Sequence, residues 1–183
     1  MKKVDRFLQG WRQRVAIQHI PKNARVLDIG AHEGELFERL GAELAEGCGI
    51  EPLLKIPTQN EKYILIPGFF PEAAPETKDW DVITALAVFE HIPRSQQEAF
   101  VFACHRYLKS GGRVILSVPG PLVDLLLAAL SFFRLVDGMS LEEHYGFEAK
   151  ETPNIFEKTG LFKLEKHQNF ELGINNLFVF RRL

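Results

Sequence analysis

The chain has 183 residues, 46% of them hydrophobic and 25% charged, which is enough to bury one substantial core and short for two independent domains. Its 22 basic and 24 acidic residues give a formal charge of −2, so no long-range field draws it to a polyanion and nucleic acid is a disfavoured partner. Cys48 and Cys104 lie far apart without CxxC spacing, which argues against a disulfide framework or a thiolate zinc site and fits buried spacers in a reducing compartment.

The first twenty residues are interrupted by charges and lack the apolar run of a secretory signal, so a cytoplasmic protein is expected. Within them Phe7, Leu8, Trp11 and Val15 recur at helical spacing and predict an amphipathic helix over Val4 to Ile20. Pro21-Lys22-Asn23 breaks it. Arg25 to Ile29 reads as a short buried strand, Gly30 to Gly34 as a turn, and Glu35 to Ala45 as a helix with Leu36, Phe37, Leu40 and Leu44 on one stripe. Further strands are expected at Cys48 to Glu51 and Tyr63 to Ile66, and the segment between them, with Pro52 and Pro57, has room for a short helix only. A fourth strand spans Asp81 to Leu86. Gln96 to Leu108 reads as a helix closed by the glycines of Lys109-Ser110-Gly111-Gly112, and Arg113 to Val118 as the fifth strand.

After Pro119-Gly120-Pro121 comes an apolar stretch from Leu122 to Val136. It is roughly 15 residues long and holds Asp124 and Arg134, against the about 20 residues needed to span a bilayer, so membrane insertion is not expected. Its helical core, Leu122 to Leu135 with Phe132 and Phe133, admits readings as core, as the wall of a greasy pocket, or as a membrane-facing or homodimer-forming patch. A loop through Tyr145 and Phe147 and a helix near Pro153 to Thr159 follow, and residues 120–160 form the segment expected to cap a substrate. Phe162 to His167 and Asn176 to Phe180, joined through Asn169 to Gly173 without a helix, should pair as an antiparallel hairpin at one sheet edge. Strands alternating with helices predict a single α/β domain over 1–183, a three-layer sandwich with a mostly parallel seven-stranded sheet and a C-terminal antiparallel hairpin.

In an open α/β sheet, ligands bind beyond the carboxyl ends of the strands, where strand order reverses. Val26-Leu27-Asp28-Ile29-Gly30-Ala31-His32-Glu33-Gly34 ends a strand with an acid and then bends through two glycines that let backbone approach a ligand. About 20 residues on, Glu51 ends the second strand, where a carboxylate can accept both hydroxyls of a ribose. Together these describe an adenosine-containing ligand. A dinucleotide would require GxGxxG; the spacing here is G-x-x-x-G, and Glu33 and Glu35 place negative charge where two phosphates would sit.

The same run resembles motif I of class I S-adenosylmethionine (SAM)-dependent methyltransferases, V-L-D-x-G-x-G-x-G, with His32 in place of the middle glycine. Trp80 to Ile92 (WDVITALAVFEHI) is similar to that family's fourth-strand motif, and Leu108 to Pro119 (LKSGGRVILSVP) to its fifth-strand motif, so the resemblance covers Arg25 to Pro119. It implies a Rossmann-like fold, SAM as cofactor and a small-molecule methyl acceptor. By the same resemblance, Asp28, Gly30, Ala31, His32 and Gly34 surround the methionine end, Glu51 takes the ribose, Pro52 and Leu53 one adenine face, and Leu86 the sulfonium region. Phe69 and Phe70 fall where relatives often keep an acid for the adenine amino group; stacking or core packing replaces it here.

Methyl transfer needs a positioned acceptor and, for some acceptors, a base. The candidates are His91, His144 and Glu90, with Tyr145 as a positioning group. Some relatives bind a divalent ion through ExxEH at this position. Ala87 replaces the first Glu, so no metal is expected from Glu90, His91 and His144. The competing readings are a methyltransferase fold that has lost turnover and serves as a SAM-binding or interaction module, which His32 and Ala87 favour, and a nicotinamide-dependent oxidoreductase, which the glycine spacing opposes.

Overall fold

The computed structural model describes residues 3–120 and 148–183; the apolar stretch from Leu122, His144 and Tyr145 lie outside the described residues. Helix α1 (Lys3–Ile17) precedes β1 (Ala24–Ile29), α2 (Glu35–Leu40), β2 (Leu44–Glu51), β3 (Thr58–Gln59), β4 (Tyr63–Pro67), β5 (Trp80–Leu86), α3 (Arg94–Tyr107) and β6 (Leu108–Pro119). Then come α4 (Thr152–Glu157), β7 (Phe162–Phe170) and β8 (Asn175–Arg182). The sheet order is β3-β4-β2-β1-β5-β6-β8-β7.

Strands β4, β2, β1, β5 and β6 are parallel, while β8 runs antiparallel to both β6 and β7. The expected C-terminal hairpin is therefore present, with β8 inserted beside β6 and β7 at the edge. The chain winds outward from β1 to β2 and β4, then returns to lay β5 on β1's other side, so strand order reverses between β1 and β5. That junction is where a crevice opens at the carboxyl end of such a sheet.

Each central strand is buried on both faces. Leu27, Ile29, Ile83, Phe178 and Phe180 pack with Phe100, Cys104 and Phe156 on the side of α3 and α4. Val26, Val82, Leu177 and Val179 pack with Val15, Leu36, Phe37 and Leu40 on the side of α1 and α2. This two-sided burial is why the parallel strands read as continuous apolar runs rather than alternating ones. Both cysteines are buried, as expected.

Four expectations need correction. The sheet has eight strands, because the residues after Pro57 add the two-residue antiparallel strand β3 to β4, and no helix forms between Pro52 and Pro57. Helix α2 stops at Leu40, where Gly41 turns at φ 51°, so Leu44 and Ala45 belong to β2 although Leu44 fits the helical stripe. Lys109 to Gly112 is not a helix cap: α3 ends at Tyr107 and β6 begins at Leu108, its pairing with β5 shifting register after Trp80. In α1, Phe7 is exposed and meets Trp11 edge-on, while Val15 and Ala16 are the residues that enter the core. Among the described residues no helix is long and apolar enough to cross a membrane.

Candidate active site

The site begins with Asp28, one residue before the end of β1. Its neighbours Leu27 and Ile29 both face the layer of α3 and α4, and Asp28 itself is only 5% exposed. Thr84 of β5, its register partner, donates from Oγ1 to Asp28 Oδ1 at 2.6 Å. Burial outweighs that hydrogen bond, and the nearby charges of Glu35 and Glu51 add to it, so the Asp28 carboxyl is pushed up to about 7. A buried acid ringed by further acids is a poor seat for phosphate and a good one for a cation.

Beyond Ile29 the backbone turns at Gly30 with φ 76°, and a Cβ there would come within 2.6 Å of Val88 Cγ2, so the β1 exit and the β5 exit touch through a position that only glycine fills. Ala31 is buried. Gly34 (φ 87°) opens α2 against the Tyr63 ring, and α2 has six residues, too short to supply the helix terminus a dinucleotide would use.

His32 adopts φ 48°, the left-handed conformation that the replaced glycine would take freely. The turn of the resembled motif is thus kept. The imidazole Nδ1 lies 2.9 Å from Glu35 Oε1, and the backbone N–H of His32 donates to Glu51 Oε2 at 3.0 Å.

Glu51, at the end of β2, is 7% exposed. Its second oxygen, Oε1, accepts from the backbone N–H of Leu53 at 2.9 Å. One carboxylate therefore ties the loop after β1 to the loop after β2, and each oxygen keeps a lone pair for a ligand hydroxyl. The sequence placed Glu51 at the ribose but gave no sign of this bridging role, which depends on two backbone donors.

Pro52 and Leu53 are exposed, Leu53 at 83%, and Phe69 at the β4 exit is 71% exposed. Phe70 is the core member of its pair, packing edge-on to Phe100 at 5.6 Å and tilted against Tyr107 at 5.5 Å. Large apolar side chains left in water beside Glu51 fit a surface that an aromatic base would cover. Leu86 ends β5, half-buried.

On the other side of the switch point, Ala87 takes φ 57° and donates its N–H to Ser117. The 3₁₀ turn Phe89–His91 follows; Glu90 is buried, its carboxyl pushed up to about 7 by desolvation, and His91 is exposed. Glu90 and His91 thus lie at the β5 exit but in different environments. Among the described residues, the one group whose ligating atoms lie within 4.8 Å of one another is His32, Glu33 and Glu35, which does not include Glu90 or His91. Sequence reasoning missed two buried polar residues at this same end of the sheet, Glu171 in the turn after β7 and Asn175 at the start of β8. Their position follows from β8 pairing with β6, which no local pattern announces.

The residues present fit the ligand that the resemblance implies: an acid-lined strand end for a positively charged methionine end, a glycine turn for close approach, and a strand-end carboxylate for hydroxyls. A model of the methyltransferase domain family matches residues 2–172. A ubiquinone biosynthesis O-methyltransferase from Xanthomonas oryzae pv. oryzae is 32% identical over 103 residues, which cover 51% of this chain and 42% of that protein. The match thus spans less than half the length of that curated relative. Among solved structures, a SAM-dependent methyltransferase from Archaeoglobus fulgidus superposes with a TM-score of 0.70 at 18% identity, over 97% of this chain and 94% of that one. A TehB-like SAM-dependent methyltransferase from Corynebacterium glutamicum gives 0.63 at 13% identity, over 98% and 97%. At such identities these likenesses bear on the fold. The chain belongs to the methyltransferase domain family, with S-adenosylmethionine as the cofactor that this membership implies.

Proposed function

We propose that the protein transfers a methyl group from SAM to an oxygen, nitrogen or carbon centre of a small-molecule acceptor. The observation that carries this is the arrangement of two buried acids, Asp28 and Glu51, on either side of the Gly30–Gly34 turn at the point where strand order reverses.

Bound there, SAM supplies an already activated methyl group, which passes to the acceptor as its bond to sulfur breaks and the new bond to the acceptor atom forms. The chain's own work is binding and orientation. Asp28, ionised, attracts the ammonium of the methionine end. Glu51 holds the ribose hydroxyls while keeping the loops after β1 and β2 in place. Val88 against Gly30 fixes the distance between the two strand exits. Where the acceptor loses a proton, Glu90 at the β5 exit, its carboxyl pushed up to about 7 by burial, and His91 beside it are the described candidates to take it. His144 and Tyr145 remain proposals for the acceptor side, and the cytoplasm remains the proposed location.

The left-handed His32 weighs against reading the chain as a module that has lost its cofactor, since the departure from the motif leaves the turn intact. Titration calorimetry with SAM, S-adenosylhomocysteine and NAD tests the proposal. Binding of the first two without NAD is the expected result. Silence toward all three, or a preference for NAD, overturns it.

A further inference from the structure

Two carboxyl groups at the carboxyl end of the sheet have an oxygen without a hydrogen-bond partner among the described residues. Glu90, 3% exposed, leaves Oε2 unpaired. Glu171, 2% exposed, accepts from the Asn175 side chain with one oxygen and leaves Oε1 unpaired.

The topology places them together. Asn175 is the register partner of Pro119, the last residue of β6, so the turn Glu171–Gly173 stands at the same end of the sheet as the β5 exit that carries Glu90. The Arg12 guanidinium of α1 acts on both carboxyls, opposing the effect of their burial. Three separate elements, α1, the β5 exit and the β7–β8 turn, thus contribute to one polar corner.

An ionised carboxylate can only accept hydrogen bonds. Two buried oxygens lacking a donor among the described residues, on carboxyls that burial biases toward the protonated form, are complementary to a guest that brings donors or positive charge and so favours their ionisation. They are hostile to one that brings another anion. We propose that Arg12, Glu90, Glu171 and Asn175 form the acceptor end of the methyl-transfer site and select an acceptor bearing N–H or O–H donors, an amine or neighbouring hydroxyls, over one bearing a carboxylate. This rests on the methyl-transfer reading above.

The test uses the full chain saturated with S-adenosylhomocysteine and three probes of similar size, benzylamine, catechol and benzoate, with binding read by ligand-observed NMR and calorimetry. At least one of the two donor-bearing probes binds, and benzoate does not. Benzylamine alone identifies a cationic acceptor and catechol alone a hydroxylic one, and either result supports the proposal. Glu90→Gln and Glu171→Gln each weaken the donor-bearing probe by about tenfold, the loss of one charge-assisted hydrogen bond, while S-adenosylhomocysteine affinity stays as in the parent. Equal binding of benzoate, or no probe binding with the cofactor product bound, overturns the proposal. Failure of S-adenosylhomocysteine itself to bind overturns the methyl-transfer reading beneath it. If a variant does not fold, the preference of the parent chain among the probes decides alone.

Discussion

The two ends of the parallel strands treat charge in opposite ways. At the amino end, Arg25 pairs with Glu46 at 2.7 Å, Lys109 with Asp81, and Arg113 with Glu165 at 2.9 Å, the last beside an open groove shared with Lys163, Arg181 and Arg182. These acids and bases sit at or near the surface and satisfy one another. At the carboxyl end, Asp28, Glu51, Glu90 and Glu171 are all buried, and none has a salt bridge to a described residue. Burying an acid without a salt-bridged partner is unfavourable for folding alone. Its concentration at one end of one sheet marks that end as shaped for something other than stability.

The contrast is tested most severely at Glu51. Glu51→Ala removes two charge-assisted backbone hydrogen bonds together with the contact proposed for the ribose. S-adenosylhomocysteine affinity should fall by about 3 kcal/mol or more, over a hundredfold by calorimetry. An unchanged affinity would place the sugar elsewhere.

Asp28→Asn should weaken the same ligand by about 1.5–3 kcal/mol and reduce the pH dependence of stability expected of the parent. Because the Asp28 carboxyl is raised to about 7 from an ordinary value of 3.8, the native state holds a proton that the unfolded chain has released between those values. Ligand-free stability therefore falls as pH rises from about 4 to about 7, a trend Glu90 reinforces in the same direction. Affinity for the cationic methionine end moves the opposite way and rises through neutrality. Chemical denaturation and calorimetry from pH 5 to 8 check both slopes.

Gly30→Ala places a methyl group against Val88 at a residue with φ 76° and should destabilise the fold by about 1–2 kcal/mol. Glu165→Ala, at the amino end, breaks two exposed ion pairs and should change stability by less than about 1 kcal/mol with no effect on ligand binding. A large effect there would erase the distinction between the two ends.

Much of this was readable in the sequence where the signal is local. The β1–turn–α2 unit, Asp28, the two glycines and Glu51 stand within one short stretch, and the apolar runs of β5 and β6 need no partner to be recognised. What escaped depends on distant pairing or on few residues. Strand β3 is two residues long and has no period to detect. Gly41 ends α2 before the apolar stripe does. Phe69 and Phe70 are adjacent and alike in composition, and only packing against Phe100 and Tyr107 separates the exposed ring from the half-buried one. Glu171 and Asn175 join the site because β8 lies against β6, some sixty residues earlier in the chain.

The clamp made by Glu51 on His32 and Leu53 bears on how quickly a ligand is received. Two loops already fastened to a common anchor lose little freedom when an adenosyl group arrives, so association should proceed without a slow closing phase. Differences in residence time among ligands would then reflect departure rather than entry, and cutting the clamp should convert a single-step arrival into one that waits for the rim to assemble.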